Sequence, residues 1–230
     1  MDAPRVVGVD GCRSGWVGIA LGPGAVVRAH LGTTVAELVA DAEQDGTVEV
    51  VGVDIPIGLP DAGVRAADVL AKRAVGPLHS SVFMTPVRDA LTSPDHVTAV
   101  RVNRDRTGNG VSIQAYGLRH RIREVERWVR ATDRTVVEVH PEVCFATMAG
   151  RPLTSRKSTW AGAEERRELL ASAGIELRGS LGDTGSAGVD DVLDAAAVAW
   201  TARRHAVGEA RCLPAVPETF GDGITCAIWA

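Results

Sequence analysis

Two short apolar runs, RVVGVD at 5–10 and VEVVGVDI at 48–55, carry the same frame, Gly-Val-Asp, at their ends. Val-rich runs of this length without polar alternation read as strands covered on both faces. A carboxylate at the tip of such a strand is costly to desolvate unless it is paired or bound to a cation. Asp10 and Asp54 are therefore the features that most restrict what this chain can become. The segment between them sets their relation. After GCRSG the chain resumes as GWVGIAL (15–21), turns at Gly22-Pro23-Gly24 and continues as AVVRAH (25–30), an antiparallel meander. TTVAELVADAEQDG follows, with Thr34 as a cap, apolar residues at 35, 38 and 39, and Gly46 as a stop, which makes a helix. A helical crossover back to the sheet makes the strand at 48–55 parallel to the first. The tips bearing Asp10 and Asp54 then lie side by side.

The rest of the chain continues an α/β pattern: a mixed sheet of an antiparallel three-strand meander plus parallel strands, flanked by helices. DAGVRAADVLAKRAVG (61–76) reads as a helix and PLHSSVFMTPVRDAL (77–91) as a polar loop with a short helix. Residues 95–110 fit helix or loop equally. SIQAYGLRHRIREVERWVRA (112–131) reads as one helix, apolar at 115, 118, 122, 125, 128 and 129. RTVVEVHPE (134–142) reads as a third buried strand and GAEERRELLASAG (162–174) as a helix. GVDDVLDAAAVAWTARRHAVG (188–208) is a long Ala-rich helix that begins with acids, as the helix dipole favours. PETFGDGITCAIWA (217–230) reads as a turn and a terminal strand or extended segment. No linker composition flanks the middle, so the expectation is a single domain over 1–230 with a helical insertion at about 60–131.

Hydrophobic residues make up 45% of the chain, enough for a core. No apolar stretch approaches the roughly 18–20 residues of a membrane-spanning helix, and MDAPRVVG lacks the apolar region of a secretory leader. Cys12, Cys144, Cys212 and Cys226 form no Cys-x-x-Cys pair, which argues against a zinc cage or disulfide framework and for a reducing cytoplasm. The net charge of −4 makes the whole molecule no magnet for nucleic acid. Residues 101–134 nevertheless hold nine arginines against four acids, which reads first as a solvated helix face. Only Lys72 and Lys157 of the 25 basic residues are lysine, a bias ascribed to codon usage.

The chemistry must lie with carboxylates at element ends: Asp10, Asp54, Glu138, Glu142, Asp190, Asp191 and Asp194. Taken singly, Asp10 and Asp54 read as turn-initiating residues. Side by side they repel unless something neutralises them. Asp190 and Asp194 are an i, i+4 pair and Asp191 and Asp194 share a helical face, a like-charge spacing that mildly destabilises a helix. Capping explains Asp190 or Asp191 but not Asp194, which lies a turn inside. Acids on two strand tips and a helix start make a hard-oxygen cage suited to Mg²⁺ or Mn²⁺. His79, His140 and His205 show no ligand spacing. The five tryptophans are too dispersed for a base-stacking platform.

The order of elements is similar to that of the ribonuclease H-like fold, with an acidic helix start like that of its Holliday-junction resolvase branch. GVDGCRSGWVG, VGVDIPIGLP, HSSVFMTPVRDAL, SIQAYGL, EVHPEVCF and DDVLDAAAVAW more closely resemble the domain-of-unknown-function family 429, over nearly the whole chain. Its members are described as ribonuclease H-like nucleases. The resemblance implies catalytic roles for Asp10, Asp54, Asp191 and Asp194, and metal ligation by Asp10, Asp54, Asp191 and Glu138. It implies substrate contacts near the cleft from Arg13, Ser80, Ser81 and Gln114.

The expected function is thus a nuclease or phosphodiesterase that uses Mg²⁺ or Mn²⁺, with the Arg-rich segment holding the phosphates of DNA or RNA. Two other classes share the fold. A small-molecule phosphotransferase could use DGCRSGWVG as a phosphate hairpin, but such proteins usually duplicate the core. A catalytically inactive interaction module needs no metal at all.

Overall fold

The computed structural model of the protein describes residues 3–23, 27–182, 184 and 187–230. Strands β1 (Val6–Cys12), β2 (Gly15–Leu21) and β3 (Val27–Gly32) form the expected antiparallel meander, with Asp10 opposite Val17. Gly24 of the expected turn and positions 25 and 26 of the third strand lie outside the described residues. Thr34 caps α1 (Val35–Ala42) by accepting from the Glu37 backbone N–H, and the Glu37 side chain bonds back to the cap. A 3₁₀ turn over Glu43–Asp45 ends at Gly46, whose φ of 129° suits only glycine. β4 (Val50–Val53) then runs parallel to β1, with Val9 level with Val53.

The segment up to the next strand is helical: α2 (Ala66–Ala74), a 3₁₀ stretch over Gly76–Ser81, α3 (Arg88–Leu91), α4 (His96–Thr107), α5 (Ile113–Gly117) and α6 (Arg119–Ala131). The helix expected over 112–131 is broken at Leu118. Its first turn ends at Gly117, a poor helix former, and Leu118 closes it by donating to the Gln114 carbonyl. β5 (Thr135–Val139) is shorter than the strand expected over 134–142. Pro141, whose fixed φ suits the first helical position, starts α7 (Pro141–Ala149) where the strand was expected to end. α8 (Trp160–Ser172) and α9 (Val189–Ala206) follow. The tail is a hairpin: β7 (Thr225–Trp229) is the terminal strand that the sequence allows, and β6 (Cys212–Thr219) is added before it. β7 lies parallel to β5, and the seven strands run in the order β3-β2-β1-β4-β5-β7-β6. This α/β layout, a mixed sheet flanked by helices, is consistent with a ribonuclease H-like arrangement. Among the described residues no helix is long and apolar enough to cross a membrane.

Strand periodicity decides which face each tip residue serves. Val7 and Val9 pack with Leu38 of α1 and Ile122 of α6, while Val6 packs with the alanines of α9. Gly8 shares the α9 side: a Cβ there would stand 2.0 Å from the Ala199 backbone nitrogen. At Gly52 of β4 a Cβ would likewise meet Val198. Small residues on both partners thus let α9 lie close against β1 and β4. Two residues farther along each strand, Asp10 and Asp54 point to that same side, where α9 begins.

Candidate functional site

The tips of β1 and β4 and the first turns of α9 open on one cleft of about 430 Å³. Asp10, Asp54, Asp190, Asp191 and Asp194 all line it. The Asp54 backbone N–H donates to the Val9 carbonyl at 2.9 Å, continuing the ladder and placing Asp54 level with Asp10. Asp10 is 9% exposed and accepts from the Gly11 N–H at 2.6 Å, so its turn-holding role and its place in the cleft coexist. Asp194, one turn inside α9, is almost wholly buried, and its Oδ1 has no hydrogen-bond partner. Asp191 accepts from the Gly188 N–H at 3.2 Å and so also serves the start of the helix.

Desolvation first, then the Asp54 and Asp194 charges, hold the Asp10 carboxyl well above its ordinary range. Burial and Asp194 do the same to Asp54. Asp194 is pushed up to about 6, burial outweighing the help of Lys157. That lysine sits on the loop between α7 and α8, with its Nζ 2.5 Å from Asp194 Oδ2 and 3.8 Å from Asp190 Oδ2. Burial alone would lower its pKa; Asp194, Asp10 and Asp54 together raise it.

The other expected residues divide. Ser80, Ser81 and Gln114 line the cleft, brought there by the 3₁₀ stretch and α5. Arg13 is exposed in the β1–β2 turn and does not line it. Glu138 borders the cleft but has both oxygens engaged: Oε1 by Arg65 Nη2 at 2.5 Å and Oε2 by the Ile57 N–H at 2.7 Å. The reason is register. Glu138 pairs with Val53, not Asp54, so its side chain points to the opposite face from the aspartates. In the structure it is a strut beneath the 55–65 segment. Glu142 is likewise taken, by a bidentate pair with buried Arg166 at 2.7 Å. Arg121 is the one arginine of the 101–134 segment, expected to hold phosphates, that lines the cleft, whereas Lys157 and Arg156 line it unexpectedly. Arg121 is tied to the β1–β2 hairpin through the Cys12 and Gly15 carbonyls.

Carboxylate oxygens with one orphaned acceptor suit a hard divalent cation, so the donor set fits Mg²⁺ or Mn²⁺ chemically. It is not preassembled: among the described residues no three His, Cys, Asp or Glu side chains stand in ligating array, and Lys157 supplies the positive charge instead.

These shifts carry a pH dependence. Asp194 at about 6 and Glu138 at about 7 lie above ordinary carboxyl values. Between about pH 4 and 7 the folded chain therefore holds protons that the unfolded chain has released, and stability falls as pH rises. Buried His140, lowered to about 4, and His205, also lowered by burial, oppose this below pH 6.5, against the raised Asp10, Asp54, Asp194 and Glu138. The metal-free protein is expected to be more stable at about pH 5.5 than at about pH 8, by about 1–3 kcal/mol. Urea melts at the two pH values check this, and equal or higher stability at pH 8 contradicts it.

No curated protein and no solved structure matches the chain. The family model described as "Protein of unknown function (DUF429)" matches residues 8–219, which span both Gly-Val-Asp strands, the helical segment and the acidic start of α9. The chain belongs to that family.

Proposed function

We propose that the protein is a metal-dependent phosphodiester hydrolase, a nuclease in which Asp10, Asp54 and Asp194 hold Mg²⁺ or Mn²⁺ with Asp191 at the rim. The observation that carries this reading is the convergence of those carboxylates on one cleft that basic side chains also enter, with Asp10, Asp54 and Asp194 raised first by burial. Groups so arranged favour a multivalent cation, because a cation removes a repulsion that the fold otherwise sustains. Bound there, the ion would lower the pKa of water and neutralise charge on the phosphate. The chain's own part is to position. The aspartates fix the cation, Arg121 and Arg156 meet phosphate oxygens, and Ser80, Ser81 and Gln114 supply neutral hydrogen bonds from the cleft lining.

One observation favours the inactive interaction module: Lys157 already neutralises part of the cluster. Metal-stripped protein incubated with single-stranded DNA, duplex DNA, RNA and branched DNA, with and without Mg²⁺ or Mn²⁺, separates the two. The proposal expects cleavage of at least one substrate, abolished by chelator and by Asp54→Asn. No cleavage of any substrate, together with no metal-induced rise in melting temperature, leaves the inactive module.

A further inference from the structure

Two kinds of ion pair surround the cleft, and they are built differently. Arg166 and Glu142 form a buried pair in which Arg166 Nη2 donates to both carboxylate oxygens; the arginine side chain is 0% exposed and its Nη1 donates to the Ser155 and Gly162 carbonyls. Such a pair cannot open without unpacking the core. Lys157 with Asp194 is one-sided. The aspartate side chain is 3% exposed and the lysine side chain 39%, so the ammonium reaches the buried oxygen from the solvent side on a flexible stem. It can withdraw without disturbing any packed layer. Its loop also supplies Arg156 and Ser158 to the same cleft.

We propose that Lys157 is a tethered counter-ion of the aspartate cleft, displaced from Asp194 by the divalent cation and thereby freed to bind the substrate phosphate. This rests on the metal-dependent reading above and adds the residue that couples metal loading to phosphate binding. Asp10, Asp54, Asp190, Asp191 and Asp194 line the cleft, and among the described residues the cation paired with them is Lys157, at Asp194 and Asp190. Asp194 Oδ1 still lacks any partner. A divalent cation meets that need, and on Asp194 Oδ1 it repels the ammonium held at Oδ2 and so favours its release. In the metal-free state the pair keeps Asp194 from being buried unpaired. In the loaded state the same ammonium stands in the cleft where a phosphate arrives, next to Arg156.

Three measurements test this. Calorimetric titration with Mn²⁺ is expected to show Lys157→Met binding the ion about tenfold or more tightly than wild type, since a competing like charge is gone. With both proteins metal-saturated, Lys157→Met is expected to bind inorganic phosphate about fivefold more weakly. The chain has only two lysines, so limited acetylation read by mass spectrometry reports Lys157 against Lys72. In wild-type protein that ratio is expected to rise several-fold on adding Mg²⁺. The acetylation arm needs no variant and decides the matter even if Lys157→Met does not fold. Wild type that binds metal with an unchanged acetylation ratio overturns this inference and leaves the metal site standing. So does Lys157→Met that binds Mn²⁺ no more tightly, or phosphate no more weakly, than wild type. Wild type that binds neither ion overturns the metal-dependent reading itself.

Discussion

Asp10→Asn is expected to abolish metal-dependent phosphodiester cleavage while making the metal-free protein more stable. The carboxylate of Asp10 is desolvated at the end of β1 and faces Asp54 and Asp194, all three shifted upward by burial. An amide removes one repelling charge from the cluster and keeps an oxygen that can still accept from the Gly11 N–H. A gain in the metal-free state is expected because one member of a mutually repelling, desolvated set is neutral in the variant. The loss appears with metal. Wild type at a Mn²⁺ concentration of about 100 Kd gains about 2.7 kcal/mol by linkage, and the variant gains little. Activity falls by about 10²–10³-fold or more, the scale of removing one preorganised electrostatic group from a reacting centre. Melting curves of both proteins with Mn²⁺ and with NaCl of equal ionic strength, alongside the cleavage assay, measure each part. Wild type that ignores the metal, or a variant that loses stability, leaves Asp10 with the turn-holding bond to Gly11 as its whole role.

The largest effect on stability is expected from Arg166→Met. Arg166 is fully buried, bonds both oxygens of Glu142, and carries the Ser155 and Gly162 carbonyls on its other nitrogen. Methionine fills much of the volume but leaves the Glu142 carboxylate and two carbonyls without their donors. Removing one partner of a buried pair costs about 3–5 kcal/mol, because the remaining charge is uncompensated. Urea denaturation measures the loss. A double variant, Arg166→Met with Glu142→Leu, is expected to recover a large part of it, since no buried charge is then left over. A loss in the single variant below about 1 kcal/mol contradicts a structural role for the pair. The variant is also expected to lose activity, because Ser155 anchors the loop that brings Arg156 and Lys157 to the cleft.

What could be read directly from the residues was local. The Val-rich runs, the capped helix after Thr34 and the Ala-rich helix after Gly188 stand where their periodicity puts them, because each pattern reports a face its own segment must bury. The placement of Asp10 beside Asp54 followed from the same signals, since a crossover helix makes the two strands parallel neighbours. Element ends were harder. Residues 141 and 142 read as the end of a strand yet begin α7, and the tail holds one strand more than expected, because short apolar runs do not distinguish helix from strand without their partners. Glu138 shows the deeper limit. Its own strand makes it look like Asp10 and Asp54, but register sets it level with Val53 and turns it to the other face, into the hold of Arg65. Lys157 and Arg166 carried no local pattern at all, being paired with acids 37 and 24 positions away. Sequence periodicity alone determined which carboxylates are forced to the ends of buried elements. Tertiary structure alone decided which of them keep a free oxygen in the cleft and which are consumed by an arginine, because that depends on register and on charges brought together from distant parts of the chain.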